Sequence, residues 1–361
     1  MSKVRVLEIC ESYGGGVRTQ VDFLNSLLEG TDFSLTTIVS SKRGSKVPSN
    51  YLIEDNLTKF KNPIKLFMCL RMIDRVIKRD SIQVIHAHST IAGLVTALYK
   101  ILYVSAIPIV FTPHAYYSEI DRGWGKNFLL KSVERGMNLF YKRVIHVSKE
   151  EEQYALSNKL VSKSKSIVIN NGVPSMKYVE GKERKLHKSI NILNVARCDY
   201  QKNPEKFIKI ADIVTNSLPN VHFTWIGDGP DLEKCRNLVK SLNLTDQVKF
   251  EGYSECVEKY LKNADIFLST SRYEGLPFSV LEALSCGLPL LLTNIIGHNS
   301  LIDHNGFFLI SEKEIIFQIE YILSHRKKLS ERSLTLYHKN YSVEGMIFGI
   351  EKVYREVVLS V

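Results

Sequence analysis

The chain has 361 residues, 44% hydrophobic and 24% charged, which is long enough for two ordinary domains with full cores and too apolar for a disordered protein. Its net charge of +10 is uneven: residues 1–171 carry 24 Lys and Arg against 15 Asp and Glu, residues 172–361 carry 24 against 23. Six scattered cysteines with no C-x-x-C pair argue against a disulfide or zinc framework and fit reduced thiols in a cytosolic protein.

In chain order, Val4–Ile9 reads as a buried strand directly at the start, without the basic and apolar segments of an export leader. Gly14-Gly15-Gly16 follows in a loop, and a helix is expected from about Thr19. Adjacent glycines let the backbone approach a diphosphate, and a helix N-terminus offers N–H groups and the positive dipole end. The dinucleotide fingerprint G-x-G-x-x-G would need Gly at Thr19 and an acid after the second strand, Leu35–Val39, which runs into Ser40-Ser41 instead. Both departures count against a nicotinamide enzyme.

Pro63 to about Arg79 reads as a helix with Lys65, Arg71, Arg75, Lys78 and Arg79 along it and Ile64, Phe67, Met68 and Val76 as its apolar side. Such a helix covers a sheet or lies on an anionic membrane. The basic first half fits a membrane surface, a phosphorylated lipid or a nucleic acid, or simple solvation. His86 and His88 end the strand that starts at Val84, with no third metal ligand apparent beside them. Ile91–Phe111 is long enough to span a membrane, but Pro108 divides it into a core helix to about Val104 and a strand, Ile107–Phe111. His114 follows that strand and is placed to face a cleft. After the strand Val144–Val147, the run Ile167–Pro174 with its Asn-Gly turn and the charged stretch Lys182–Lys188 mark a boundary after residue 171.

The β/α rhythm then restarts with strands at Ile190–Val195, Val221–Ile226, Val248–Phe250, Ile266–Leu268 and Leu290–Leu292. The fold class is therefore α/β, two Rossmann-like domains facing each other across a central cleft. Arg197 and Lys202 follow the first of these strands, where two cations can clamp a diphosphate, although Asp199 can also pair with either. Glu274 follows the strand Ile266–Thr270, and Glu282 lies one turn into a helix with Pro277 at its start and Gly287 and Pro289 at its stop. Carboxylates at a strand's C-terminal edge and in the next helix face the crevice where open α/β sheets bind ligands.

The Gly14-Gly15-Gly16 loop, His114, the Arg197 and Lys202 pair and the E-x7-E segment from Glu274 to Glu282 together resemble the retaining glycosyltransferases of family 4, also called group 1, which have the GT-B fold. Asn170-Asn171-Gly172-Val173 and Gly227-Asp228-Gly229-Pro230 are similar to further landmarks of that family. Asn203 stands where the family commonly has Gly, and Ser300 where an acid commonly appears.

The resemblance implies an acceptor-binding N-terminal domain, residues 1–171 with 342–361 returning to it as a C-terminal helix, and a nucleotide-sugar-binding domain, residues 172–341. The donor would be a UDP- or GDP-sugar, its diphosphate on Arg197 and Lys202, its ribose on Glu282 and its sugar on Glu274, with N–H groups at Gly275 and Leu276 assisting. His114 would sit near the transferred sugar, and Gly15 or Gly16 near the diphosphate or acceptor. The acceptor would be a lipid-linked glycan in cell-surface polysaccharide assembly, O-antigen, capsule or exopolysaccharide, and the sugar a hexose or N-acetylhexosamine. No cofactor is implied, and no nucleic-acid partner. The sequence has no D-x-D pair, so no metal is expected. The basic half and Arg122–Phe128, with Trp124 either at an interface or packed inside, fit a cytoplasmic enzyme peripheral on the anionic inner membrane surface. An epimerase of the same architecture and a non-catalytic sugar-nucleotide or glycan-binding protein are the competing readings.

Overall fold

The computed structural model describes residues 3–43, 46–119, 123–176, 189–311 and 313–360, so the expectations for Arg122 and for Lys182–Lys188 lie outside the described residues. Its contacts divide into two units, Met1–Asn171 with Val343–Val361 and Gly172–Ser342.

The first unit holds β1 (Val4–Cys10), β2 (Phe33–Val39), β3 (Leu52–Ile53), β4 (Val84–His88), β5 (Ile109–Thr112), β6 (Arg143–His146) and β7 (Ser166–Val168). They form one parallel sheet in the order β3-β2-β1-β4-β5-β6-β7. Its helices are α1 (Gly15–Leu28), α2 (Pro63–Asp80), α3 (Thr90–Leu102), α4 (Trp124–Asn138) and α5 (Lys149–Ser157).

The second unit holds β8 (Ile190–Val195), β9 (Val221–Ile226), β10 (Val248–Gly252), β11 (Ile266–Ser269), β12 (Leu290–Leu292) and β13 (Gly306–Phe308). This sheet is also parallel, in the order β10-β9-β8-β11-β12-β13. Around it lie α6 (Pro204–Ser217), α7 (Leu232–Ser241), α8 (Val257–Asn263), α9 (Phe278–Ser285), α10 (Ile315–Ser324) and α11 (Arg326–Asn340), and the chain then returns to the first unit as α12 (Val343–Leu359).

Strands buried on both faces explain the near-continuous apolar runs. In the first sheet Leu7, Ile85, Phe111 and Val144 face one core with Cys69, Ile73 and Met137. Val6, Val84, Val110 and Ile145 face the other, closed by Ile350, Val353 and Val357 of α12. In the second unit Trp225, Phe207, Phe223 and Phe250 pack edge-to-face or stacked at the centre.

Three local expectations are corrected. Helix α1 begins at Gly15 rather than near Thr19, so Gly15 and Gly16 form its first turn. Helix α9 begins at Phe278, with Pro277 as its N-cap. On α2, Cys69, Leu70, Ile73, Val76 and Ile77 are the buried stripe, whereas Ile64, Phe67 and Met68 are 69%, 58% and 48% exposed. Both sets recur at helical spacing, and the sheet takes the one without Arg71 and Arg75. Burial stabilises each large aliphatic on that stripe by about 1.5–3 kcal/mol, which outweighs the solvation of the opposite face. Trp124 is 87% exposed, which settles its alternative of an interior position. Among the described residues no helix is long and apolar enough to cross a membrane.

Candidate functional site

The strand order of each sheet reverses at one place, between β8 and β11 in the second unit and between β1 and β4 in the first. Loops leaving the C-terminal ends of strands diverge there, which opens a crevice for ligand.

In the second unit the loop after β8 supplies Arg197, Gln201 and Lys202, and the loop after β11 supplies Ser271 and Glu274. The buried Glu274 carboxylate takes Lys202 Nζ at 2.5 Å and the Ser271 hydroxyl at 2.6 Å on one oxygen, and Gln201 Nε2 at 3.4 Å on the other. Lys202 and Glu274, expected to hold different parts of one ligand, therefore pair directly. A carboxylate offers about four lone-pair sites, so Glu274 keeps room for a ligand hydroxyl. Asp199 accepts from Arg197 Nε at 2.5 Å and from the Lys202 backbone N–H at 3.1 Å, which ties both cations to one loop. Arg197 remains exposed to solvent.

Asn203 lies at φ +54°, a left-handed conformation that Asn adopts more readily than other residues with a side chain. That accounts for Asn at a position where the resemblance expects Gly. Gly297 is needed for close approach, since a Cβ there would lie 2.5 Å from the Glu274 carbonyl oxygen. The segment Ile296–Leu301 thereby braces the Glu274 turn from beneath. Buried His298 joins the same support, with Nδ1 2.8 Å from the Thr293 carbonyl and Nε2 3.3 Å from the Ser269 hydroxyl. Burial lowers its pKa to about 4.

Glu282 differs from Glu274. Its carboxyl is partly exposed on α9, has no hydrogen-bond partner among the described residues, and is pushed up to about 7 by burial. Gly275 and Leu276 complete the turn before α9, whose first turn has neither an acid nor a capping side chain. The positive end of that helix is therefore not neutralised from within.

In the first unit three helices start at the C-terminal edge of the sheet. Glu11 stoppers α3, accepting from Ser89 Oγ at 2.6 Å and Ala92 N at 2.9 Å. Ser148 and Glu151 cap α5. Only α1 of these three has no capping side chain and no acid in its first turn, and Gly15 there takes φ +55°, which favours glycine. Of these three it is the start best suited to an anion.

His114 leaves β5 at φ +60° and Ala115 follows at φ +122°, two consecutive left-handed residues that bear side chains. Such strain persists only where the surroundings impose it. Here they do: His114 Nε2 lies 3.1 Å from His88 Nδ1, and His88 Nε2 lies 2.5 Å from Glu8 Oε2. Sequence reading missed Glu8, which sits beside His86 and His88 and supplies the third potential ligand type thought absent. Glu8 and His88 are joined by a direct hydrogen bond, Glu8 Oε2 lies 3.4 Å from His86 Nδ1, and His86 is held by Tyr354 and Thr112 at 2.6 and 2.8 Å. Tetrahedral ligand atoms about 2.0–2.2 Å from zinc would stand farther apart than 2.5 Å.

Glu8 was hidden because its contact with His88 comes from strand register. Cys10 pairs with His88 and Glu8 with His86 across β1 and β4, a relation that no local spacing encodes. Gln201 was hidden in a similar way, reaching Glu274 from the loop after β8.

Two family models match the chain: Glycosyltransferase Family 4 over residues 14–175 and Glycosyl transferases group 1 over residues 179–333. The chain is 27% identical over 261 residues to an Escherichia coli UDP-Gal:alpha-D-GlcNAc-diphosphoundecaprenol alpha-1,3-galactosyltransferase, covering 68% of this chain and 67% of that protein. It is 25% identical over 354 residues to the E. coli O-antigen biosynthesis glycosyltransferase WbnH, covering 97% and 98%. The crystal structure of Anabaena HepE in complex with UDP and glucose aligns with a TM-score of 0.76 at 16% identity, over 98% of this chain and all of that one. That likeness shows the shared fold, GT-B.

Proposed function

The chain belongs to the glycosyltransferases, its first half to family 4 and its second to group 1, and from that premise we propose that it moves a hexose or N-acetylhexosamine from a UDP- or GDP-sugar to a lipid-linked glycan during cell-surface polysaccharide assembly, with retention at the anomeric carbon. The second unit takes the donor and the first the acceptor. The observation that carries this reading is the contrast in environment between two carboxyls at one switch point. Glu274 is buried in a polar network beside a lysine, while Glu282 has no hydrogen-bond partner among the described residues and burial pushes its carboxyl up. UDP in the HepE complex, and the UDP-galactose donor and diphosphoundecaprenol-linked acceptor in the galactosyltransferase's name, support the substrate classes and favour UDP.

The donor diphosphate lies against Arg197, Lys202 and the start of α9, with Gly275 and Leu276 N–H groups beside it. Glu282 accepts from the ribose hydroxyls and Glu274 from the sugar hydroxyls. Cations and helix dipoles supply the charge stabilisation that a divalent ion gives elsewhere, so no metal is needed. The anomeric C–O bond breaks toward the diphosphate, the acceptor oxygen attacks the same face, and the acceptor proton passes to the departing phosphate oxygen. His114 flanks the sugar, and the open start of α1 at Gly15 and Gly16 faces donor phosphate or acceptor. The protein docks peripherally on the anionic inner membrane surface through its first unit.

The test is a panel of UDP- and GDP-sugars read by thermal shift and then by transfer to a lipid diphosphate-linked glycan. A donor at 100 times its Kd stabilises by about 2.7 kcal/mol. Glu282→Ala is expected to weaken every donor, whereas Glu274→Ala keeps nucleotide binding and loses sugar discrimination. Equal loss of all donors in both variants would overturn these roles. Inverted product, or activity lost to chelator and restored by manganese, would overturn the mechanism.

A further inference from the structure

We propose that a relay from Tyr354 and Glu8 through His88 locks His114 as its Nε2–H tautomer, so that His114 presents a bare Nδ1 and recognises a hydrogen-bond donor, a sugar hydroxyl or amide N–H, rather than a phosphate or carboxylate oxygen. The tautomer follows from this unit alone. Its link to a sugar rests on the reading above, which puts His114 at the transferred group.

Proton counting along the chain of contacts fixes each step. The phenol of Tyr354 has one proton, and its oxygen lies 2.6 Å from both Glu8 Oε1 and His86 Nδ1. Glu8 is an ionised acceptor, held well below the usual carboxylate range by two imidazoles despite its complete burial. Tyr354 therefore donates to Glu8 and accepts from His86 Nδ1–H. His86 Nε2 lies 2.8 Å from the Thr112 hydroxyl, which can donate or accept there. The other oxygen of Glu8 has no proton to give, so at 2.5 Å it accepts from His88 Nε2–H.

Burial lowers the His88 pKa to about 4, so the ring is neutral and its Nδ1 carries a lone pair. His114 Nε2, 3.1 Å away, must donate to it. Burial also holds His114 neutral. A neutral imidazole with a protonated Nε2 has a bare Nδ1, and that atom has no partner among the described residues. Near-parallel stacking of the His88 and His114 rings, 27° apart, and the left-handed backbone at His114 and Ala115 keep the ring in place. Glu8, His88 and Tyr354 are positioning residues, acting on a ligand only through His114.

The experiment is a long-range proton–nitrogen NMR correlation on the full-length protein labelled with 15N-imidazole histidine, without ligand at pH 7.5. His114 is assigned by the signal lost in His114→Gln. A protonated Nε2 with a bare Nδ1 is expected; a protonated Nδ1 or an imidazolium overturns the proposal. In His88→Phe the ring loses its acceptor and should average between tautomers, and an unchanged His114 spectrum in that folded variant would overturn the relay. Should His88→Phe not fold, the wild-type spectrum decides alone.

Calorimetry with UDP-galactose and its deoxyfluoro analogues then tests the recognised group, because fluorine does not donate. One analogue is expected to bind about tenfold more weakly to the wild type and equally to His114→Ala. Equal binding of all analogues to the wild type overturns the hydroxyl assignment. Failure to bind UDP-galactose at all counts against the donor reading and leaves the spectrum standing.

Discussion

Glu282 has a carboxyl that burial pushes up to about 7. Its folded pKa lies above the unfolded value of 4.5, so its contribution to stability is fully present below 4.5 and lost as pH rises through about 7. Ligand binding has the opposite sign, because ribose hydroxyls bind best to the ionised form. Affinity for UDP-galactose should therefore fall between pH 7.5 and 5.5, approaching about tenfold per unit at the acidic end. Isothermal calorimetry across that range checks this, and Glu282→Gln should bind weakly with a flat profile. A wild-type profile as flat as the variant's would remove Glu282 from the donor contacts. His298 does not add to the slope, since it is held near 4 and stays neutral throughout.

Helix α4 turns an unfavourable exposure into a testable surface. Trp124, Phe128 and Leu129 are 87%, 63% and 64% exposed along its first turns, the rings of Trp124 and Phe128 stack at 6.1 Å, and Lys126 lies exposed beside them. Aromatic and basic side chains in that combination suit the headgroup region of an anionic bilayer. Trp124→Ser with Phe128→Ser should reduce sedimentation with anionic vesicles at low salt at least several-fold while leaving donor binding unchanged. Equal sedimentation by wild type and variant would exclude α4 as the docking element. Element length also decided what could be read beforehand. Strands with three or more apolar residues, such as β1, β5 and β11, stood out. The two residues of β3 and three of β13 carry too short a pattern to separate from loop, and on α2 two competing stripes left the buried face to be chosen by packing. Glu274 and Glu282 were legible because strand, turn and helix follow one another locally, whereas Glu8 and Tyr354 meet from 346 residues apart.

At the scale of the molecule, each unit has its own parallel sheet and its own core. Differential scanning calorimetry should resolve two unfolding transitions, and UDP-galactose should raise chiefly the one belonging to residues 172–342. A single transition shifting as a whole would argue against independent units. The crossing of α12 into the first unit has a further consequence, for synthesis rather than catalysis. Residues 172–342 are made between the first sheet and the helix that covers Val6, Val84, Val110 and Ile145. At about 5–20 residues per second, that apolar face waits uncovered on the ribosome for roughly 10–30 s. The second unit is contiguous and can close as soon as it emerges, so the half made first is the half finished last, and the one with the greater need of a chaperone.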